Sequence, residues 1–487
     1  MGQEDRPLKS RKEHLLARSE QAKQERLSIA VDLAHPLLVL ERSLDWDTLL
    51  PYVEEIRRSK VKSAAGKPAH LRVLVAAVMV KAYMKQTYRR DSDLMRHFAP
   101  ARYLAGLTKT DWSPAKSTIW DFFDLLGVDG LDAINKFVVK MAVAKGFTDA
   151  NHMAADLTAQ EATIPYPNEM GHMSTFLRRI ARASATVGGV FKTFGSKAAS
   201  AFQEAKTMVR EYRLFAKTKE AKDHLTAKMA DLVEGVQQQL HGALDEALEQ
   251  RQPLIKYQKV AFRSMLRLHR IVATLLPQIR SWLKTGFVAK DKIISLHIPE
   301  TYSIVRGKVG KKVEFGLTWG IARLRGGYLL ATLAKDKQEI VDSKFAVRAV
   351  DDHIKLFGKA PESFAYDRAG DTKGVIAALK ARGVKQLGIA RKGKAPWLVH
   401  GREKEQLISE RAQVEGGIGT VKNGYGFNRP AARSRKMMGV CGQAAVLGFN
   451  LSRLVQDFTP PKPGSLLAAV GSRGRKKPLK NKRTSSS

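Results

Sequence analysis

Met153-Ala154-Ala155-Asp156-Leu157-Thr158 reads as a short buried strand that ends in polar residues. Strand chemistry then disappears for more than a hundred residues and returns after Lys290. Residues 292–297 (KIISLH) are β-rich. Residues 313–322, the pair Gly326-Gly327 and residues 328–334 spell a β-hairpin with a Gly-Gly turn. A helix over 343–357 follows, then a strand over 363–366 that ends on Asp367. A helix over 372–382, a strand over 385–390 and a largely helical stretch over 403–422 complete the pattern, with helical residues continuing to about Val455. Gly416, Gly417 and Gly419 are awkward guests in that late helix. With the intervening block set aside, this order describes an α/β fold, a mixed sheet covered by helices.

The block itself, residues 171–288, is rich in Ala, Gln, Lys, Glu, Leu and Arg and poor in Gly and Pro. It reads as a helical insertion, and residues 225–249 resemble one long amphipathic helix. Two roles fit it equally: contact with a ligand or second subunit, or plain structural packing. Before the first strand, residues 27–149 read as a helical N-terminal domain. Its densest apolar helix covers 71–85. Ser113-Pro114 looks like an N-cap followed by proline at the first helical position. The helix it opens is expected to end at Gly127, with another over about 131–145. Helix-turn-helix and simple helical bundle both fit this region. Residues 1–26 read as a flexible charged arm rather than a signal peptide. Residues 459–487 read as a disordered basic tail able to contact phosphate or to solubilise the chain.

Bulk properties narrow the partner. The chain has 487 residues, 84 Lys plus Arg against 47 Asp plus Glu, and a formal net charge of +37. A field of that sign attracts polyanions. Hydrophobic residues make up 44%, enough for several cores, so an enzyme acting on nucleic acid fits better than a packing protein. The most apolar run, residues 71–80, is too short to span a bilayer, which disfavours a membrane partner. The single cysteine, Cys441, excludes an intrachain disulfide and cysteine-rich zinc modules, and fits a reducing cytoplasm. The 12 histidines form no cluster with metal-ligand spacing.

Phosphodiester chemistry needs an activated nucleophile and a stabilised leaving oxygen, which two divalent ions about 4 Å apart supply. Hard ions such as Mg²⁺ take oxygen ligands, so carboxylates must gather at strand ends and on an adjoining helix. Asp156, Asp367 and Glu415 stand in those places. Singly, each also reads as a turn former, a cap or a solvated helix residue. Asp371 rivals Asp367, whereas Asp351 and Asp352 read as helix surface charges.

Three blocks together resemble a known family. The run Asp156-Leu-Thr-Ala-Gln-Glu-Ala-Thr-Ile-Pro-Tyr-Pro-Asn-Glu169 is similar to the Asp-x-Thr-x-x-Glu-x-x-Ile-x-Tyr-Pro-Thr-Asp signature of bacterial insertion-sequence DDE transposases. Asp156, Thr158, Glu161, Ile164, Tyr166 and Pro167 match, and Asn168-Glu169 replaces Thr-Asp. Ser295-Leu296, Ile304-Val-Arg-Gly-Lys308 and Glu314-Phe315-Gly316 match the next block, and Asp367-Arg-Ala-Gly-Asp-Thr372 the segment with the second aspartate. In the third block Arg411, Glu415 and Lys422 keep the family's Arg, Glu and Lys spacing, while Ile408 stands where the family has tyrosine.

The resemblance covers about residues 30–455 and implies a ribonuclease-H-like core. It implies that Asp156, Asp367 and Glu415 are the catalytic, metal-binding triad of a two-metal Mg²⁺ site, with Mn²⁺ able to substitute. Arg411, Lys422, Lys308 and Arg368 would contact DNA. The expected protein binds inverted repeats at an element's ends as a homodimer or higher oligomer, in the bacterial cytoplasm beside the nucleoid, and performs strand cleavage and strand transfer on double-stranded DNA. A decayed DNA-binding protein and a metal-dependent nuclease on the same core remain alternatives.

Overall fold

The computed structural model describes residues 32–61, 70–108, 112–251, 253–308, 311–335, 341–391, 393 and 395–459. The charged arm over 1–26, and the basic tail beyond Thr459, lie outside the described residues. The first strand, β1 (Asp149–Glu161), is longer than its apolar centre suggests. Asp156 therefore sits inside the strand and not at its end, a correction to the sequence reading. The strand extends because both its edges are paired. β3 (Lys311–Arg325) runs antiparallel along one edge from Asp149 to Glu161. β5 (Ser363–Tyr366) runs parallel along the other, with His152 opposite Ser363 and Ala154 opposite Ala365.

β6 (Gln386–Ile389) continues the sheet parallel to β5. β2 (Tyr302–Lys308) and β4 (Leu329–Leu333) share the outer edge of β3. The result is a mixed six-stranded sheet in the order β2-β3-β1-β5-β6, with β4 on β3. The Gly326-Gly327 hairpin forms as expected, both glycines at positive φ (109° and 108°). KIISLH is not a strand. Its Leu296 packs into the helical insertion, and the Ser295 hydroxyl accepts the His297 and Ile298 backbone N–H groups. The apolar side chains there satisfy a helix bundle, and the strand that pairs with β3 begins at Tyr302 instead.

Among the described residues six helices precede β1: α1 (Pro36–Ser43), α2 (Trp46–Lys60), α3 (Leu71–Met84), α4 (Tyr88–His97), α5 (Ala99–Ala105) and α6 (Lys116–Ala144). Ser113 is not the cap of α6. The N-cap is Ala115, without a side-chain bond, and the approach is fixed by the Ser92 hydroxyl donating to the Pro114 carbonyl at 2.9 Å. Gly127 breaks α6 internally, as its sequence position suggests (φ 62°, ψ −164°). Four helices, α7 (Glu169–Val187), α8 (Phe191–Leu214), α9 (Lys219–Glu249) and α10 (Lys256–Thr285), lie between β1 and β2. They bury their own core around Phe176, Phe191, Met229 and Val272.

α11 (Asp342–Phe357) joins β4 to β5, α12 (Lys373–Ala381) joins β5 to β6, and α13 (Gly401–Gly424) and α14 (Arg435–Phe458) follow. Among the described residues no helix is long and apolar enough to cross a membrane. The six leading helices share one core with a face of the sheet and with α14. Val78, Phe123 and Val138 belong to the same buried cluster as Met153, Phe364, Tyr366 and Leu451.

A buried polar knot ties α6, α14 and β4 together. Asn450 Nδ2 donates to Asn135 Oδ1 at 2.7 Å and to the Leu329 carbonyl at 2.7 Å, while Asn450 Oδ1 accepts the Leu329 N–H at 2.9 Å. Both asparagines are fully buried. Asn450→Ala orphans two buried groups and is expected to cost about 2–4 kcal/mol in denaturant titration. An unchanged midpoint would mean the knot adds nothing to the union of these elements.

Candidate active site

The parallel register of β1 and β5 decides where the first two carboxylates stand. Ala154 lies opposite Ala365. Two residues further along each strand come Asp156 and Asp367. The chain stays extended at Asp367 (φ −73°, ψ 175°), so the register carries on to it. Neighbouring strands are about 4.8 Å apart, so the two aspartates are side by side at the same level of the sheet. Side chains alternate across a strand, so each aspartate shares a face with the alanine two residues before it. Ala154 and Ala365 pack with Leu407 and Val414 of α13, so both aspartates project to the α13 side. Asp156 Oδ1 accepts its neighbour Leu157's N–H at 2.8 Å. Asp367 Oδ1 accepts the Ala369 N–H at 2.9 Å, capping a short turn over Arg368–Gly370.

α13 crosses the strands diagonally. Leu407 lies over Gly388 of β6, where any added Cβ would come within 2.6 Å of the Leu407 Cβ. Val414 lies over β5 and β1, and Val421 joins Trp319 and Ile321 of β3. The helix has a distinct side at each edge. Buried Glu410 accepts from Arg325 Nε at 2.6 Å, toward the end where β1 begins. Glu415 follows five residues later, about 140° round the helix. That turns it away from Arg325 and toward the end of the strands that holds the aspartates. In this structure Glu415 pairs with Arg411 at 3.1 Å and keeps 55% of its side chain exposed.

Among the described residues no three His, Cys, Asp or Glu side chains converge as a metal cage. The backbone thus brings Asp156 and Asp367 together, and Glu415 stands on the adjoining helix turned to its own arginine.

The remaining sequence candidates separate clearly. Asp371 accepts from Arg391 Nε at 2.7 Å, with 8% of its side chain exposed. It is committed to an ion pair that anchors the segment after β6. Asp351 pairs with Arg382 and Asp352 lies 3.7 Å from Arg348, the surface roles expected of them. Arg368 sits in the turn after Asp367, and Lys422 lies on α13 seven residues beyond Glu415. Lys308 closes β2 opposite Lys311. The α13 glycines do not break the helix, and a Cβ at Gly416 or Gly419 would meet only open space.

Sequence reading missed a clasp at the end of β1. Buried Glu161 pairs with Arg429 Nε at 3.0 Å, and Asn428 Oδ1 accepts the Glu161 N–H at 2.8 Å. Arg429 adopts φ 49° to make it. Glu161 belongs to the signature block, but its partners lie more than 260 residues away, beyond any local signal.

No family model, curated protein or solved structure matches the chain.

The two neighbouring aspartates should respond differently to neutralisation. Asp371→Ala leaves Arg391 without its buried partner and is expected to lower stability by about 1–3 kcal/mol. Asp367→Asn keeps a side chain able to cap the turn, so its thermal unfolding should stay close to that of the parent. The reverse ranking in a melting experiment would exchange the roles of Asp367 and Asp371.

Proposed function

We propose that the chain is a DDE transposase whose site is Asp156, Asp367 and Glu415 on a ribonuclease-H-like core. The observation that carries this reading is the register that sets Asp156 beside Asp367 on adjacent parallel strands, under the helix that bears Glu415. The mixed sheet, with helices joining β4 to β5 and β5 to β6, supports the fold that the three signature blocks imply. Two carboxylates at strand spacing, with a third on the covering helix, are the oxygen donors that suit Mg²⁺ or Mn²⁺. Bound divalent ions would supply an activated nucleophile and charge stabilisation at the leaving oxygen.

The chain's own groups then have separable tasks. Asp156, inside β1, and Asp367, directly after β5, provide the fixed donors. Glu415 completes the set by side-chain rotation away from Arg411. That movement exposes the Arg411 guanidinium to a DNA phosphate, for which its planar fork is suited. Lys422 and Arg368 add positive charge around the same end of the sheet, and Lys308 is a further DNA contact that the resemblance implies. The bare Gly416 and Gly419 surface of α13 leaves room for a nucleic-acid backbone. Water opens one phosphodiester at the element's end and leaves a 3′ hydroxyl. That hydroxyl then attacks a target phosphodiester in line and displaces a target 3′ oxygen, so one P–O bond breaks for each one formed.

Cleavage is the direct test. Purified protein with Mg²⁺ or Mn²⁺ is mixed with labelled DNA carrying the inverted repeats that flank its own reading frame. Wild type should nick at the repeat ends. Asp367→Asn and Glu415→Gln should lose that nicking by about a hundredfold or more while still binding DNA, since a lost ligand forfeits several kcal/mol of charge stabilisation. Binding without cleavage by wild type would identify a DNA-binding protein. Hydrolysis without joining would identify a nuclease. Undiminished cleavage by both variants would overturn the site.

A further inference from the structure

Four arginines from three distant parts of the chain gather beyond the end of β1. Arg178 and Arg179 come from α7, Arg267 from α10, and Arg433 from the loop that leads into α14. Arg179 and Arg267 touch the strap that returns from the insertion to β2 at His297, and Arg178 and Arg433 stand within electrostatic reach of its imidazole. Arg179 Nη1 lies 3.4 Å from His297 Nδ1 and 3.5 Å from the Leu296 carbonyl, and its Nη2 lies 3.3 Å from the Ser264 hydroxyl. Arg267 Nη2 donates to the His297 carbonyl at 3.2 Å. Arg433 follows Ala432, which packs with Ile298 of the strap and with Ala162 just past β1.

Negative charge is scarce here. Arg267 lies 4.0 Å from Glu300, and Arg178, Arg179 and Arg433 have no carboxylate partner among the described residues. Burial first, then Arg179, Arg433, Arg178 and Arg267, hold the His297 imidazole below its usual pKa. Burial, then Arg267 and Arg178, likewise lower the Arg179 guanidinium. Like charges assembled from separate elements repel one another unless an anion joins them. Guanidinium forks are matched to phosphate oxygens.

We propose that Arg178, Arg179, Arg267 and Arg433 form a binding site for the phosphate backbone of double-stranded DNA, spanning the helical insertion and the loop before α14. The choice of DNA rests on the function proposed above, while the anion site itself does not need catalysis. Five residues of extended strand separate Asp156 from Glu161, about 17 Å, so the cluster grips backbone well away from the reacting phosphate. The insertion thereby serves as a second handhold on the same duplex.

The test is equilibrium binding of a labelled 40-base-pair duplex of arbitrary sequence across a potassium chloride series. Arg178→Ala/Arg433→Ala removes two exposed members and leaves the half-buried Arg179 in place. The slope of log affinity against log salt should fall by about 2, close to one per arginine, for any duplex sequence. The control pair Arg210→Ala/Arg213→Ala, exposed on α8, should keep the parental slope. An unchanged slope, or equal loss in the control, overturns the proposal. Tighter, arginine-dependent binding of duplex RNA would overturn the assignment to DNA. Should the cleavage test fail while the slope still drops, the anion site stands and the transposase reading falls.

Discussion

The parallel pairing of β1 with β5 is the constraint on which the arrangement depends. It is short, yet it fixes which residues of two segments more than two hundred positions apart become neighbours. Shifting this register by one residue would turn one aspartate to the opposite face. The register is held from several directions. β3 pairs with β1 along its other edge, Phe364 and Tyr366 are buried in the main core, where Tyr366 meets Phe345 of α11, and Ala154 and Ala365 are buried beneath α13. Small side chains at those two alanines let α13, the helix that bears Glu415, lie close to the sheet.

Around this centre the protein divides its work between rigid support and charge. The buried asparagine knot and the shared core make the leading helices, α14 and the sheet one packed body. The four insertion helices keep a separate core, and Ile298 of the strap that returns from them packs with Ala162 just past the end of β1. The arginine cluster lies at this junction. A net charge of +37 supplies long-range attraction to a polyanion, and the cluster gives that attraction a defined location.

Local signals were legible in the sequence. The apolar run before Asp156, the strand ending at Asp367, the Gly-Gly hairpin and the helix carrying Glu415 each announce themselves within a few residues, and the structure forms all of them. Features that depend on distant partners were not. KIISLH has strand-forming residues, but its neighbours in space are helices, so no strand edge is available to it. The length of β1 follows from the partners on both edges, which no local pattern contains. Ser113 has the chemistry of a cap, but the helix begins after Pro114 and Ala115. Glu161 and the arginine cluster need residues scattered over more than 250 positions. The placement of Asp156 beside Asp367 belongs to both classes: each residue was legible, and their adjacency comes from the sheet register alone.

The central claim is that Asp156 and Asp367 jointly hold a divalent ion with Glu415 close by. Anomalous diffraction from crystals of the full chain soaked in Mn²⁺ tests it most directly. The account predicts an anomalous peak within about 2.0–2.6 Å of oxygens from both aspartates, absent from the Asp156→Asn/Asp367→Asn protein. A Mn²⁺ peak held by other residues, with none between these two at saturating metal, would contradict it.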